Sequence, residues 1–503
     1  MPGPTRAAAD YPCAVNSPAL QALHHVRDTA LAQLRADLPV LQEVAELFSE
    51  AGFEVDLVGG SVRDAILGRD LVDLDFATDA RPEQMLAFLR GWADAVWDIG
   101  ARFGTVGARS GDLQLEFTTY RADAYAADSR KPEVSYGADL LSDLGRRDFT
   151  VNAMAVRLRD GQFIDPFDGL LDLAVKRLRT PGSPQDSFSD DPLRMLRAAR
   201  FASQLGMTVD SQATAAMADM AERIDVVSAE RIRDELVKLI LSPDPRPGLQ
   251  LLVDTGLCQR FLPEIPALSL EIDEHHRHKD VYEHSLTVLE QAIELETTHA
   301  PRTEPDFVLR FAALMHDVGK PRTRRHEPGG GVSFHHHEVV GAKITRKRMR
   351  ALRFDAKTID EVCELVALHL RFHGYGGGEW TDSAVRRYVR DAGDQLVRLH
   401  KLTRADCTTR NRRKAAALQR TYDHLEARIE TLAQAEELAA VRPDLDGNQI
   451  MEILGIPPGR DVGRAYKHLL ELRIENGPMD REEATQALIT WWQESGSADT
   501  PGR

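Results

Sequence analysis

Apolar residues recur at helical spacing over most of this 503-residue chain, and strand-like patterns are confined to its first third. From about residue 20 to 51 the spacing predicts two amphipathic helices broken at Pro39. Leu31, Leu34 and Leu38 form the apolar stripe of the first, and Leu41, Val44 and Phe48 that of the second. Residues 57–78, LVGGSVRDAILGRDLVDLDFAT, read as strand, tight turn at Gly59-Gly60, short helix and second strand. Val62, Ala65, Ile66 and Leu67 carry the helical spacing, and Gly68 stops it. A helix is expected over 82–93 and strands over 95–120. A polar segment punctuated by Gly and Pro fills 121–143. The apolar half of 146–156, RRDFTVNAMAV, is expected as a helix entering the core. Helical spacing then dominates 208–266 and the later segments, with long helices beyond residue 408.

Length implies three or four domains rather than one core. The pattern divides the chain into a head at 18–180, a helical neck at 181–268, a second helical domain at 269–410 and a C-terminal helical body at 411–494. Residues 1–17 and 495–503 are expected to be disordered. No window has the apolar length of a membrane span, and the N-terminus has no basic-then-apolar signal pattern. Four scattered cysteines, Cys13, Cys258, Cys363 and Cys407, suit a reducing, cytoplasmic setting. The net charge of −16 argues against coating nucleic acid by bulk charge, and no DNA partner is expected. Any RNA contact must use local basic surface such as 343–354, KITRKRMRALRF, or the start of the helix after 408.

Asp73 and Asp75 stand two apart on the second strand, so both carboxylates leave one face while Val72, Leu74 and Phe76 pack on the other. Paired glycines ahead of a helix let backbone N–H groups approach an anion, as a triphosphate requires. Paired carboxylates suit Mg²⁺, which takes oxygen ligands and bridges to phosphates. In LQLEFTTYR the alternation sets Glu116 opposite Leu115 and Phe117, where it is a candidate third carboxylate or an exposed strand residue. Further on, SDDPLRMLRAARFASQLG opens a helix near Pro192, and Asp191 and Arg194 are expected on one helix face. A carboxylate that accepts beside a guanidinium that donates matches the edge of cytosine (N4 donor, N3 acceptor) and of adenine (N6 donor, N1 acceptor). Guanine and uracil present the reverse order and leave polar groups unpaired.

GGSVRDAILG followed by DLDFAT resembles the first motif of the class II tRNA nucleotidyltransferases and the related bacterial poly(A) polymerases, within the polymerase-beta-like nucleotidyltransferase superfamily. The resemblance runs from about residue 53 to 477, dense in head and neck and thin in the C-terminal helices. It implies an α+β head with a mixed sheet, followed by all-α neck, HD and C-terminal domains. It implies that Asp73 and Asp75 hold Mg²⁺, with Glu116 a candidate third ligand, and that Gly59, Gly60 and Arg63 hold the triphosphate. RRDFTVNA matches the second motif, whose Arg147, Asp148 and Asn152 lie around the nucleotide, and DPFDGLLDL matches a hinge-like turn. Asp191 and Arg194 match the base-reading motif, with Arg197 and Arg200 following toward triphosphate or RNA. The family commonly has Glu-Asp where this chain has Asp190-Asp191.

A second set of chemical residues follows: His284, the adjacent pair His316-Asp317 on an apolar helix, His337, His369 and Asp406. Imidazole and carboxylate suit a borderline divalent ion. Their order resembles the HD phosphohydrolase superfamily, with His284, His316, Asp317 and Asp406 as its signature and His337 and His369 as ligands in some members. Among His335, His336 and His337, the following Glu338-Val339 favours His337. Together the resemblances imply untemplated addition of C, C and A to the tRNA 3′ end from CTP and ATP. A poly(A) polymerase and an HD phosphohydrolase acting on RNA ends are the alternatives.

Overall fold

The computed structural model describes residues 18–71, 73–98, 100, 104–124, 133–136, 139–270, 281–328, 332–372, 380–408, 411–436 and 442–496. The expectations for residues 1–17, for Val72 and for 497–503 lie outside these residues. The last helix, Arg481–Gly496, runs through 495 and 496. The chain divides into two compact units, Met1–Ser228 with Ser242–Arg260 and Ala229–Leu241 with Phe261–Arg503.

The first unit opens with helices Pro18–Asp37 and Val40–Ala51, parted around Pro39. Leu41, Val44 and Phe48 are buried from the second, as its stripe requires. The strands of the head follow: β1 Val55–Val58, β2 Asp73–Thr78, β3 Ala95–Trp97, β4 Thr105–Ser110, β5 Leu113–Thr119, β6 Arg121–Ala124, β7 Glu133–Tyr136, β8 Ala155–Arg157 and β9 Phe163–Ile164. Seven form one sheet in the order β3-β4-β5-β2-β1-β8-β9, and β6 pairs with β7 separately. β2 and β5 run parallel while their other neighbours are antiparallel, so the sheet is mixed. A parallel pair needs a crossover, and helix Pro82–Leu89 lies on that path. On one face Phe76 stacks on Phe117 at 4.8 Å and Phe117 on Phe48 at 5.2 Å. Burying that face leaves the alternate residues of β2 and β5 for chemistry.

Residues 146–156 differ from the expected helix. A single 3-10 turn, Thr150–Asn152, leads into strand β8, which pairs with β1 and β9. A short apolar run buried on both sides has no periodicity to tell strand from helix, and here sheet pairing decides. At 165–173 a turn leads into helix Gly169–Ala174, and the Asp165 carboxylate accepts from the amides of Gly169 (2.7 Å) and Leu170 (2.9 Å). After β9 come a short parallel ladder of Arg177–Leu178 with Thr208–Val209 and helices Pro184–Asp190, Leu193–Leu205, Ser211–Asp219 and Arg246–Asp254.

Among the described residues, the second unit is helical apart from the two-residue ladder of Arg325–His326 with Val332–Ser333. Helices Ala229–Ile240, Val281–Thr298, Phe307–Met315, His337–Ala351, Ala356–Leu368, Asp382–Ala392, Leu396–Ala405 and Arg412–Glu436 come first. Gly447–Leu454, Arg460–Asn476 and Arg481–Gly496 close around their own core of Leu445, Ile450, Ala465, Leu469, Ala484 and Leu488.

Asp355 caps Ala356–Leu368, its carboxylate accepting from the Thr358 amide at 3.0 Å. Asp355→Ala should cost about 1 kcal/mol in urea unfolding at neutral pH. The Thr358 amide holds this carboxyl below its ordinary 3.8. Its contribution is therefore present above that value and lost as pH falls through the folded-state value. At pH 3 the gap between variant and wild type should narrow.

Candidate active site and metal centre

The parallel register sets Asp73 beside Gln114 and Asp75 beside Glu116, so the three carboxylates share the face opposite Leu74, Phe76, Leu115 and Phe117. Ser61 holds the edge in place: its hydroxyl accepts from the Asp75 amide at 2.9 Å. Burial and the neighbouring Asp73 push the Asp75 carboxyl up, against Arg147, Arg63 and Arg197, which pull it down. Glu116 is raised by burial, Asp75 and Asp73, and lowered by Arg121. Crowded like charges of this kind are relieved by a cation, and an all-oxygen donor set suits a hard one.

Gly59 turns the chain out of β1 at φ +69°, a left-handed conformation that favours glycine. A Cβ there would stand 2.7 Å from Arg147 Nη1, and a Cβ on Gly60 would meet Asp75 Oδ2 at 3.9 Å. The glycine pair thus gives Arg147 and the carboxylates room beside bare backbone. Arg63 is buried, forked onto Asp64 and bonded to Asn152 Oδ1. Asn152 donates to Asp148 Oδ1 at 2.9 Å, and Arg197 reaches Asp148 Oδ2 at 2.5 Å through Nη2. Burial alone would raise Asp148, but Arg197 and Asn152 hold it down to about 2. Arg200 lies over the Phe201 ring at 4.0 Å and donates to Gln204 on the same helix.

Asp191 is not on the helix face expected for it. It stands in extended backbone between Pro184–Asp190 and Leu193–Leu205, and its carboxylate accepts from the Leu193 amide at 3.2 Å. Pro192 starts the helix, and the aspartate before it serves as a cap. Arg194, in the first turn, donates to Ser187 Oγ (2.9 Å) and to the Arg146 carbonyl (2.5 Å). One residue that pattern reading passed over belongs here. Asp143 is completely buried and takes both Arg146 and Arg147.

In the second unit, His284, His316, Asp317, His337, His369 and Asp406 converge from five helices or their ends. His316 Nε2 lies 3.2 Å from His284 Nε2, 3.2 Å from Asp317 Oδ2 and 3.6 Å from Asp406 Oδ1. His284 Nε2 is 3.0 Å from Asp406 Oδ1, and His337 Nε2 is 3.2 Å from Asp317 Oδ1. His316-Asp317 follows Phe307–Met315 in a turn, not within the helix as expected, and His369 and Asp406 likewise sit just past helix ends. His335 and His336 are exposed while His337 is buried, which selects His337 from the three. The Nδ1 atoms of His316, His337 and His369 each face the carbonyl three residues back, at 2.8, 2.8 and 2.7 Å. A carbonyl only accepts, so each Nδ1 carries a proton and Nε2 is the ring atom left to face the cluster.

Two donor groups share Asp317: His284, His316, Asp317, and Asp317, His337, His369. The Nε2 of His369 is buried with no hydrogen-bond partner. Burial and neighbouring His316 push His369 down to about 3, so it is neutral. Burial opposes ionisation of Asp317 and Asp406, yet His316 with Lys320 and His337 holds Asp317, and His284 with His316 holds Asp406, below the usual carboxylate range. A neutral His369 beside ionised carboxylates suits a divalent cation, which would take the place of the proton that Asp317 and Asp406 draw to His316. Lys320 Nζ sits 2.8 Å from Asp317 Oδ2, a residue that i,i+3 spacing from the HD pair could have signalled.

A nucleotidyltransferase-type head joined to an HD-type helical domain is what this fold and these sites define. Residues 55–179 match the Poly A polymerase head domain, 206–268 the "Probable RNA and SrmB- binding site of polymerase A" and 281–411 the HD domain. The A-adding tRNA nucleotidyltransferase of Deinococcus radiodurans is 33% identical over 456 residues, which are 89% of this chain and 96% of that protein. The chain belongs to the class II tRNA nucleotidyltransferase family, with an HD domain. The CCA-adding enzyme of Levilactobacillus brevis is 40% identical over 230 residues, 46% of this chain and only 57% of that relative. The fold is that of the Bacillus stearothermophilus CCA-adding enzyme in its CTP complex, with a TM-score of 0.61, 24% identity and coverage of 92% of this chain and 99% of that one. Among the described residues no helix is long and apolar enough to cross a membrane.

Proposed function

We propose that the chain adds C, C and A to the 3′ end of tRNA from CTP and ATP without a nucleic-acid template. The alignment of Asp73, Asp75 and Glu116 beside the Gly59-Gly60 turn and Arg147 carries this reading. Asp73 and Asp75 would hold Mg²⁺, with Glu116 beside them. The chemistry such an ion would supply is a more acidic primer hydroxyl and neutralised charge on the departing pyrophosphate. Gly59, Gly60, Arg63 and Arg147 orient the triphosphate, Asn152 braces Arg63 while Asp148 holds Asn152 and Arg197, and Asp191 and Arg194 read the base. In the HD domain His284, His316, Asp317 and Asp406 would hold a divalent ion, with His337 and His369 completing a second position around Asp317. That domain would act on phosphates at RNA ends.

A second reading, addition of the terminal A alone, is favoured by the Deinococcus relative that matches nearly full length. Three primers separate the readings: tRNA lacking CCA, tRNA ending in CC, and oligo(A), each with CTP, ATP or both. Three nucleotides on the first and one on the second support CCA addition. One A on the second and none on the first gives A-addition. Long A-tails identify a poly(A) polymerase, and a shortened or dephosphorylated primer without any addition assigns the activity to the HD domain. In the same assay, Arg194→Ala should weaken rejection of GTP and UTP by about tenfold to a hundredfold, the worth of one or two charged hydrogen bonds. Unchanged discrimination would remove the base-reading role.

A further inference from the structure

Asp143 sits in the last turn of helix Leu140–Gly145, its side chain 1% exposed. Its two oxygens are divided between two arginines. Oδ1 takes Arg146 through Nε (3.1 Å) and Nη2 (2.7 Å), and Oδ2 takes Arg147 through Nε (3.3 Å) and Nη2 (2.9 Å). A guanidinium held side-on by Nε and Nη2 keeps Nη1 for another partner. In Arg147 that is the atom facing the Gly59 turn, 2.7 Å from where a Cβ would stand. Fixing Arg146 also fixes its carbonyl, which accepts Arg194 Nη2 at 2.5 Å. Arg194 is in turn steadied by Ser187. One buried carboxylate therefore anchors a guanidinium at the glycine turn and, through a backbone carbonyl, the arginine at the Asp191 end.

We infer that Asp143 is a positioning residue that sets triphosphate binding and base reading together, through Arg147 and Arg194. The inference rests on the nucleotide-transfer reading above. Asp143 touches no substrate in this account; it aims the two groups that do. Replacing it by a neutral isostere leaves one oxygen to accept and puts an amide N–H₂ against a guanidinium, so at least one arginine loses its aim.

The test is steady-state addition to a tRNA primer by full-length wild type, Asp143→Asn and Asp143→Glu, each first checked for an intact melting transition. Asp143→Glu keeps the charge and protects the experiment if the asparagine variant does not fold. Folded Asp143→Asn should raise the KM for both CTP and ATP by about tenfold and weaken rejection of GTP and UTP by a similar factor. Asp143→Glu, with its carboxylate displaced by a methylene, should shift both in the same direction by less. In an Arg147→Ala background the KM effect of Asp143→Asn should largely vanish, because the two act as one unit. Unchanged KM and discrimination in folded variants, with only the active fraction reduced, would mean a purely structural role and overturn the inference. Multiplying effects in the double variant would overturn it as well. A wild type that extends no primer at all would instead sink the transfer reading beneath it.

Discussion

Asp75→Asn should reduce nucleotide addition by about a thousandfold or more while leaving the protein folded. Asparagine fills the same volume, and the strand pairings of Asp75 run through backbone groups that the substitution does not touch. The Ser61 hydroxyl bonds the backbone amide of residue 75, so it survives as well. The carboxyl is already pushed up by burial and by Asp73, so removing its charge relieves repulsion rather than breaking a stabilising pair. What disappears is one of the anionic oxygens needed to hold a cation against a triphosphate. The loss should fall on the rate of the chemical step at saturating CTP, read by single-turnover addition to tRNA lacking CCA, with the melting transition recorded alongside. Retained activity in a folded variant would remove Asp75 from the metal site. Loss of activity together with the melting transition would point to a structural role instead.

The carboxylates were legible because a strand's two-residue period leaves no choice of face. Once Leu74 and Phe76 are inside, Asp73 and Asp75 are out, and the same arithmetic on β5 places Glu116 beside them. Local spacing failed where a contact comes from far along the chain. The apolar half of 146–156 looks like a helix until β1 and β9 claim Ala155–Arg157 as a strand, and neither pairing is written in the segment itself. Asp191 and Arg194 have helical spacing, but a proline at 192 and a capping bond to Leu193 hold the aspartate outside the helix. Asp143 was hidden for another reason: it lies at the edge of a polar segment, where a buried aspartate has the same signature as a solvated one. Only its two arginines show the difference. The HD ligands were legible as residue types in order, whereas their placement at helix ends was not.

His316→Ala should strip the helical domain of its metal and leave nucleotide addition within about twofold of wild type. The Nε2 of His316 is where the cluster meets, within 3.2 Å of His284 Nε2 and Asp317 Oδ2 and 3.6 Å of Asp406 Oδ1. Burial would keep its imidazole neutral, but Asp317 and Asp406 raise it to about 9, so these carboxylates already draw positive charge to this spot. Taking the ring away removes a ligand and leaves the two aspartates facing each other with less to neutralise them. Loss of outer-shell partners alone costs metal sites tenfold to a hundredfold in affinity, so loss of a ligand should cost about a hundredfold or more. Equilibrium dialysis against Mn²⁺, Ni²⁺ or Zn²⁺, followed by metal analysis, reads that loss directly. Hydrolysis of a generic phosphate ester should fall with it. Every residue proposed for addition lies between 59 and 200, in the first compact unit, and every HD ligand between 284 and 406, in the second. A folded variant that binds metal normally would dismiss His316 as a ligand. One that loses metal and addition together would show that the two chemistries depend on each other.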